Sequence, residues 1–172
     1  MEVNATPVYD MSDNPTGCCP RFDPDGWDNQ ELHFKDKPFV RAKTRSLFHI
    51  PINMSAVYKK TSDAIEDAQA YDFDGQQVLI LSRDLSPWAA EHLFAVTHAV
   101  PGTQTTHLTG DFRTKVFEGP YKDAPKWQTQ MEAELQAHGE HADRIYFFMT
   151  TCPKCAKTYG KNYVVGVAEI AA

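Results

Sequence analysis

The most reactive groups in this chain are four thiols, and they come as two close pairs. Cys152 and Cys155 stand three positions apart in MTTCPKCAKTYG, with Pro153 and Lys154 between them. Cys18 and Cys19 are adjacent in TGCCPRFDPDGW. Three chemistries fit. A Cys-Pro-x-Cys turn aims two thiolates at one point, which is half of a tetrahedral zinc site, and Cys18 and Cys19 are the candidates to complete it. Adjacent residues tend to point apart, so one of them together with a histidine such as His49 is the easier geometry. The second chemistry is dithiol exchange through Cys152 and Cys155. That motif normally follows a strand and opens a helix, where a thiol pKa falls, whereas the flanks here predict a hairpin. The third possibility is that these are plain small core residues, as free cysteines often are.

Glu118 is the second candidate. Alternation in THLTGDFRTKVFEG predicts a half-buried strand with Leu108, Phe112 and Val116 on one face and Asp111, Arg113 and Lys115 on the other. Period two puts Glu118 on the apolar face, at the strand's end. A carboxylate held there suits general-base work or a cationic ligand; one turned to water, or capping the next helix, does neither. Tyr121 follows the Gly119-Pro120 turn and is expected beside Glu118. Trp88, after Pro87 in a loop, Tyr163 and His49, at a strand end, are the candidates to line a ligand cleft. Trp127 instead fits a buried helical stripe, and most other aromatics are expected in the core.

Several classes are absent from the sequence. There is no Gly-x-Ser-x-Gly elbow, no phosphate-cradling glycine loop, no dinucleotide fingerprint and no paired-histidine ligand spacing. The formal net charge of −6 argues against nucleic acid, and the longest basic cluster, VRAKTR, alternates in a way that suits the outer face of a strand. No apolar run reaches the ~20 residues of a membrane helix. MEVNATPVYDMSDNP is acidic and polar, unlike a secretory leader. The expected compartment is the cytoplasm, where thiols stay reduced.

These groups must be positioned by the elements around them. At 172 residues, with 42% apolar side chains, one domain with a single core is the expectation. Pro7, Pro15, Pro20 and Pro24 make the first thirty or so residues irregular, but Phe22 and Trp27 predict that this arm packs down. HFKDKPFVRAKTRSLFHIPI reads as extended chain ending near Pro51. A helix follows from Ser55, with Ser55 as N-cap and Val57, Thr61, Ala64, Ile65 and Ala68 at helical spacing. Residues 72–75 break it. QQVLILSRD and EHLFAVTHAV are strands, the second carrying His92 on one face with Phe94 and Val96. Trp127, Met131 and Leu135 recur every fourth position in a second helix, with Asp123 as cap, Pro125 in the first turn and Gly139 at the stop. RIYFFMTT and NYVVGVAEI complete the set. Short links between strands imply antiparallel pairing. The fold class is α+β: two strand-helix-strand-strand halves forming a curved antiparallel sheet, with two helices and a central cleft.

That order of elements, and above all TGDFRTKVFEGPYKDAPKWQTQMEAEL with its Gly119-Pro120-Tyr121 turn, resembles the GyrI-like small-molecule-binding superfamily. The resemblance covers residues 38–172 and leaves residues 1–37 as an added arm. It implies a drug-like, often cationic ligand in a cleft between the halves, with Glu118 as the buried acid. One branch, similar to the cyclopropanoid cyclopropyl hydrolases, adds water to strained electrophilic rings. The CCPRFDP arm and the CPKC segment lie outside the general pattern and mark a separate subgroup. The resulting expectation is a small-molecule hydrolase with Glu118 and Tyr121 catalytic and zinc on the thiols. A non-catalytic ligand-binding or sensing domain and a thiol redox or metal-handling protein are the alternatives. The oligomeric state is left open.

Overall fold

The computed structural model describes residues 2–71 and 79–172. The expected helix break at 72–75 and the first residues of the following strand, 76–78, lie outside the described residues. The chain divides into two compact units, Met1–Lys35 with Gly110–Ala172, and Asp36–Thr109. Two long strands, β1 (Glu31–Leu47) and β5 (Gln104–Glu118), contribute residues to both.

The Asp36–Thr109 unit holds β2 (Ile50–Pro51), α1 (Met54–Asp67), β3 (Ile80–Ser86) and β4 (Ala89–Ala95). β4 pairs antiparallel with β1, from Phe39 opposite Ala95 to Arg45 opposite Ala89, and with β3 on its other side. Ile65 of α1 joins Val40, Phe94, Val96 and Val100 in one apolar cluster. α1 starts one residue before Ser55, and Asn53 occupies the cap position. Its side-chain oxygen accepts from the Arg45 N–H at 2.7 Å rather than capping the helix. His92 is buried on the same face, with Ser82 Oγ at 2.7 Å and the Tyr58 hydroxyl at 2.9 Å from Nδ1, and Thr44 Oγ1 at 2.8 Å from Nε2. Burial holds its pKa down at about 4, against the pull of Asp84 and Glu91. Beside it, Glu91 takes hydrogen bonds from Arg41 and Arg83.

The segment expected to run extended to Pro51 turns back instead. Phe48 and His49 both adopt positive φ, 49° and 68°, and β2 pairs with the end of β1. This two-residue turn is normally marked by Asn-Gly, and Phe-His carries no such mark.

In the other unit β7 (Tyr163–Ile170) pairs antiparallel with β5 on one side and β6 (Ala142–Met149) on the other. α2 (Ala124–Ala137) covers one face of these strands. Trp127, Met131 and Leu135 are buried against Phe117, Phe147, Val164 and Ala168, with Trp127 stacked on Phe117 at 5.3 Å. Residues 2–30 cover the opposite face. Trp27 is 4% exposed and packs on Phe148 at 5.3 Å, and Phe22 lies 5.6 Å from Tyr163. The arm is also tied by polar contacts. The Thr114 hydroxyl bonds the Trp27 carbonyl, and the Val116 N–H donates to Asp28 Oδ1 at 2.9 Å.

The CPKC segment is not part of a hairpin loop. It opens a third helix, α3 (Pro153–Tyr159), with Pro153 in its first turn and Gly160 closing it at φ 73°. The architecture is α+β with antiparallel pairing in each unit and, among the described residues, three α-helices, one more than the sequence predicts.

Candidate metal centre

Two segments of the same unit build the centre. In the arm, the Arg21 N–H donates to the Asp13 carbonyl at 2.8 Å, closing residues 13–21 into a loop. Gly17, at φ 70°, turns the chain inside that loop, and its N–H donates to the Asn14 carbonyl at 3.1 Å. A side chain is strained in that conformation. Cys18 and Cys19 follow this turn with their sulfurs 3.7 Å apart. The expectation that adjacent cysteines diverge, leaving His49 as the easier fourth ligand, is therefore corrected. His49 belongs to the other unit, where its Nδ1 is 2.8 Å from Asp84 Oδ2.

The second segment is the start of α3. Cys152 is its N-cap, and the Cys155 N–H points at the Cys152 sulfur from 3.5 Å. The Cys152 N–H donates to the Cys19 sulfur at 3.5 Å, so a backbone contact joins the two segments. All four sulfurs lie within 4.8 Å of one another, and all four are free thiols. Tetrahedral zinc at Zn–S ~2.3 Å requires sulfurs about 3.8 Å apart. The donor set and its spacing fit such an ion. Backbone N–H groups aimed at sulfur favour thiolates, the form that binds metal.

Thr16 and Tyr159 buttress the cluster. The Tyr159 hydroxyl donates to the Cys19 carbonyl at 2.5 Å, Thr16 Oγ1 lies 3.1 Å from that hydroxyl, and Thr16 Oγ1 is 3.3 Å from the Cys155 sulfur. The Thr16 hydrogen bond, with help from Cys152 and Cys19, lowers the Cys155 thiol to about 7. Burial pushes Cys19 up to about 12. Tyr9, whose hydroxyl donates to the Thr150 carbonyl at 2.7 Å, is pushed up by burial and by Cys19. Thr16 and Tyr159 escape the sequence reading. Tyr159 is four residues after Cys155, one helical turn, but that relation exists only once α3 is recognised.

A cleft of about 180 Å³ adjoins the thiol loop, lined by Arg21, Phe22, Thr150, Thr151, Tyr159, Lys161 and Tyr163. Tyr163, one of the predicted ligand residues, is here. Arg21 lies over the Tyr159 ring at 4.8 Å, and Lys161 Nζ is 3.5 Å from the Tyr163 hydroxyl. Glu118 is opposite Tyr163 in the β5–β7 ladder. Directly opposed residues share a face, so Glu118 points to the arm-covered side, toward this cleft's end of the strands. It is nonetheless exposed, not buried as its place on the apolar face predicts. Tyr121 lies on the other side of the strands, 38% exposed, where its ring meets edge-on, at 6.3 Å, that of Phe147 in the layer under α2. Trp88 is in the Asp36–Thr109 unit, 52% exposed, 4.9 Å from the Phe48 ring.

A second cavity, of about 500 Å³, lies between the end of the arm, β5 and α2. Arg113 reaches Glu31 and Glu140 there, Lys115 is 2.9 Å from Glu134, and His138 sits at the margin. Its charges are already paired with one another. No helix among the described residues is long and apolar enough to cross a membrane.

A family described as Bacterial hydrolase matches residues 9–170, and the chain belongs to that family. Among solved structures, an uncharacterised conserved protein from Listeria innocua is similar at TM-score 0.60 and 9% identity, covering 84% of this chain and 92% of the other. A hydrolase from Listeria innocua is similar at TM-score 0.55 and 10% identity, with the same coverage. At these identities the likeness is one of fold. No curated protein matches the chain.

Proposed function

We propose that this member of the Bacterial hydrolase family is a GyrI-like, cytoplasmic hydrolase of small organic molecules, in which zinc on Cys18, Cys19, Cys152 and Cys155 fastens the arm beside the substrate cleft. The observation that carries the reading is the convergence of four thiols from two distant segments within 4.8 Å. Four thiolates close a zinc coordination sphere, which makes the ion structural rather than a water activator. The hydrolytic chemistry then belongs to side chains.

Glu118 is the proposed base, and Tyr163 with Phe22 forms the aromatic wall. Glu118 takes a proton from water as the water oxygen bonds to an electrophilic carbon. The bond to the leaving oxygen breaks, and the same proton passes to that oxygen. Arg21 and Lys161 are the cations lining the cleft, and Glu118 stands at the adjacent strand end rather than among the lining side chains. A neutral or anionic electrophile, such as an ester or lactone, suits that lining better than the cationic ligand the family resemblance implies.

The test compares the parent with Glu118→Gln against esters, lactones and strained rings, with binding measured alongside. Loss of a proton-transfer group predicts a 100- to 10,000-fold drop in turnover, on the order of general-base contributions, with binding retained. A parent that binds members of the panel and turns none over defeats the hydrolase reading and leaves a ligand-binding domain. A second reading, dithiol redox, is favoured by one observation: Cys152-Pro-Lys-Cys155 follows a strand and opens a helix. Purified protein without metal and with a reversible Cys152–Cys155 disulfide would decide for it.

A further inference from the structure

Six large apolar side chains of the Asp36–Thr109 unit stand in water. Leu47, Phe48, Ile50 and Ile52 come from the β1–β2 hairpin, with exposures of 53%, 69%, 68% and 63%. Leu85 and Trp88 come from the β3–β4 turn, with 38% and 52%. The two tips are joined. The Ser46 N–H donates to the Trp88 carbonyl, and the His49 N–H to the Pro87 carbonyl, both at 2.8 Å. His49 pairs with Asp84, and the Phe48 and Trp88 rings are 4.9 Å apart. The two tips therefore lie side by side, with Phe48 against Trp88.

The backbone at the tip argues that display of Phe48 matters. Phe48 and His49 hold φ of 49° and 68° where Asn-Gly would turn without strain. A bulky residue in that region is disfavoured. A chain that needed only to reverse direction had an easier choice.

Area identifies the occupant. Two aromatic side chains of roughly 150–250 Å² each and four somewhat smaller aliphatic ones, exposed by 38% to 69%, offer on the order of 700 Å² at most. That exceeds the few hundred Å² of contiguous apolar surface typical of a monomer. Paired with itself across a two-fold axis it removes at most about 1,400 Å², within the range of a stable specific complex. Two rings among four aliphatic side chains give a surface that can fit its own copy, as an isologous contact requires. The local charge is mixed, with Asp84 beside His49 and Arg45 exposed next to Ile52, so the patch is not a cationic lipid-binding surface. Pro51 has no N–H to offer a further strand, so the contact is through side chains rather than sheet extension. We propose that this face is the interface of a homodimer.

Sedimentation velocity from 1 to 100 µM tests it. The expected species has twice the 19.4 kDa chain mass. Trp88→Asp is expected to raise the dissociation constant at least 100-fold. The double variant Phe48→Asn/His49→Gly guards against misfolding. It supplies the turn's preferred residues, so it is expected to be monomeric with a melting temperature no lower than that of Trp88→Asp. A parent that stays monomeric to 100 µM overturns the proposal, as does a dimer unchanged by both variants. Co-sedimentation of a monomeric parent with phosphatidylcholine vesicles would assign the patch to lipid and overturn it equally.

Discussion

Metal buffering of thermal stability gives the sharpest test of the four-thiol centre. The ligands come from residues 133 apart in the chain, Cys19 and Cys152, and converge only in the folded protein. A metal bound by the native state and not by the unfolded state stabilises in proportion to the logarithm of its free concentration. With one ion per chain, each tenfold rise in free zinc above the dissociation constant adds about 1.4 kcal/mol. The unfolding entropy at the midpoint is roughly 2.1 cal/mol/K per residue, which for 172 residues is about 0.36 kcal/mol/K. The melting temperature should therefore climb about 4 °C per decade of free zinc, and more steeply where the unit carrying the site melts alone. Calorimetry in zinc buffers spanning three decades reads this slope. Cys152→Ser/Cys155→Ser should flatten it and reduce bound zinc from one ion per chain to none. A parent whose melting temperature is the same in chelator and in saturating zinc refutes the idea of a native-state metal site.

Two other outcomes follow from buried groups. His92 stays neutral when folded, with a pKa held at about 4 by burial, while the unfolded chain protonates it near its ordinary value of about 6.5. Between those values the unfolded state binds more protons, so stability falls as pH drops through that window, by about 3 kcal/mol in all; urea unfolding at pH 7.5 and 4.5 measures the loss. If His92→Gln retains the same pH slope, another group is responsible. Gly166 lies under Met131, and a Cβ there would collide with the Met131 sulfur and crowd Phe117 Cε2 at 3.1 Å. Gly166→Val should destabilise by about 1–3 kcal/mol through overpacking, and pairing it with Met131→Ala should recover part of that; full tolerance of the single change would mean the layer under α2 is looser than described.

Strong periodicity was legible and weak periodicity was not. The Trp127, Met131 and Leu135 stripe identified α2 and its buried face because three large residues at one spacing leave a helix no other face to bury. β5 was legible as a strand, yet its alternation suggested one apolar side. In fact Phe117 is buried under α2 while Phe112 and Thr114 are buried on the opposite face. α3 was missed because seven residues hold barely two turns and bury only Cys155 and Ala156. Its terminal signals, Pro153 and Gly160, are the same residues that mark a hairpin loop. The reversal at Phe48-His49 was missed because it lacks the turn chemistry that would announce it. The closeness of the Cys18 and Cys19 sulfurs, 3.7 Å apart, is set by local backbone and rotamer, which no spacing rule reveals.

The arm's cover over β5, β6 and β7 bears on the order in which this protein matures. A ribosome makes residues 2–30 well before the surface they occupy, which is complete only when β7 has emerged. Until then Trp27 and Phe22 have no seat, and Cys18 and Cys19 lack their partners. Folding of this unit must wait for nearly the whole chain, and over that interval two early thiols are open to oxidants and to stray metal ions.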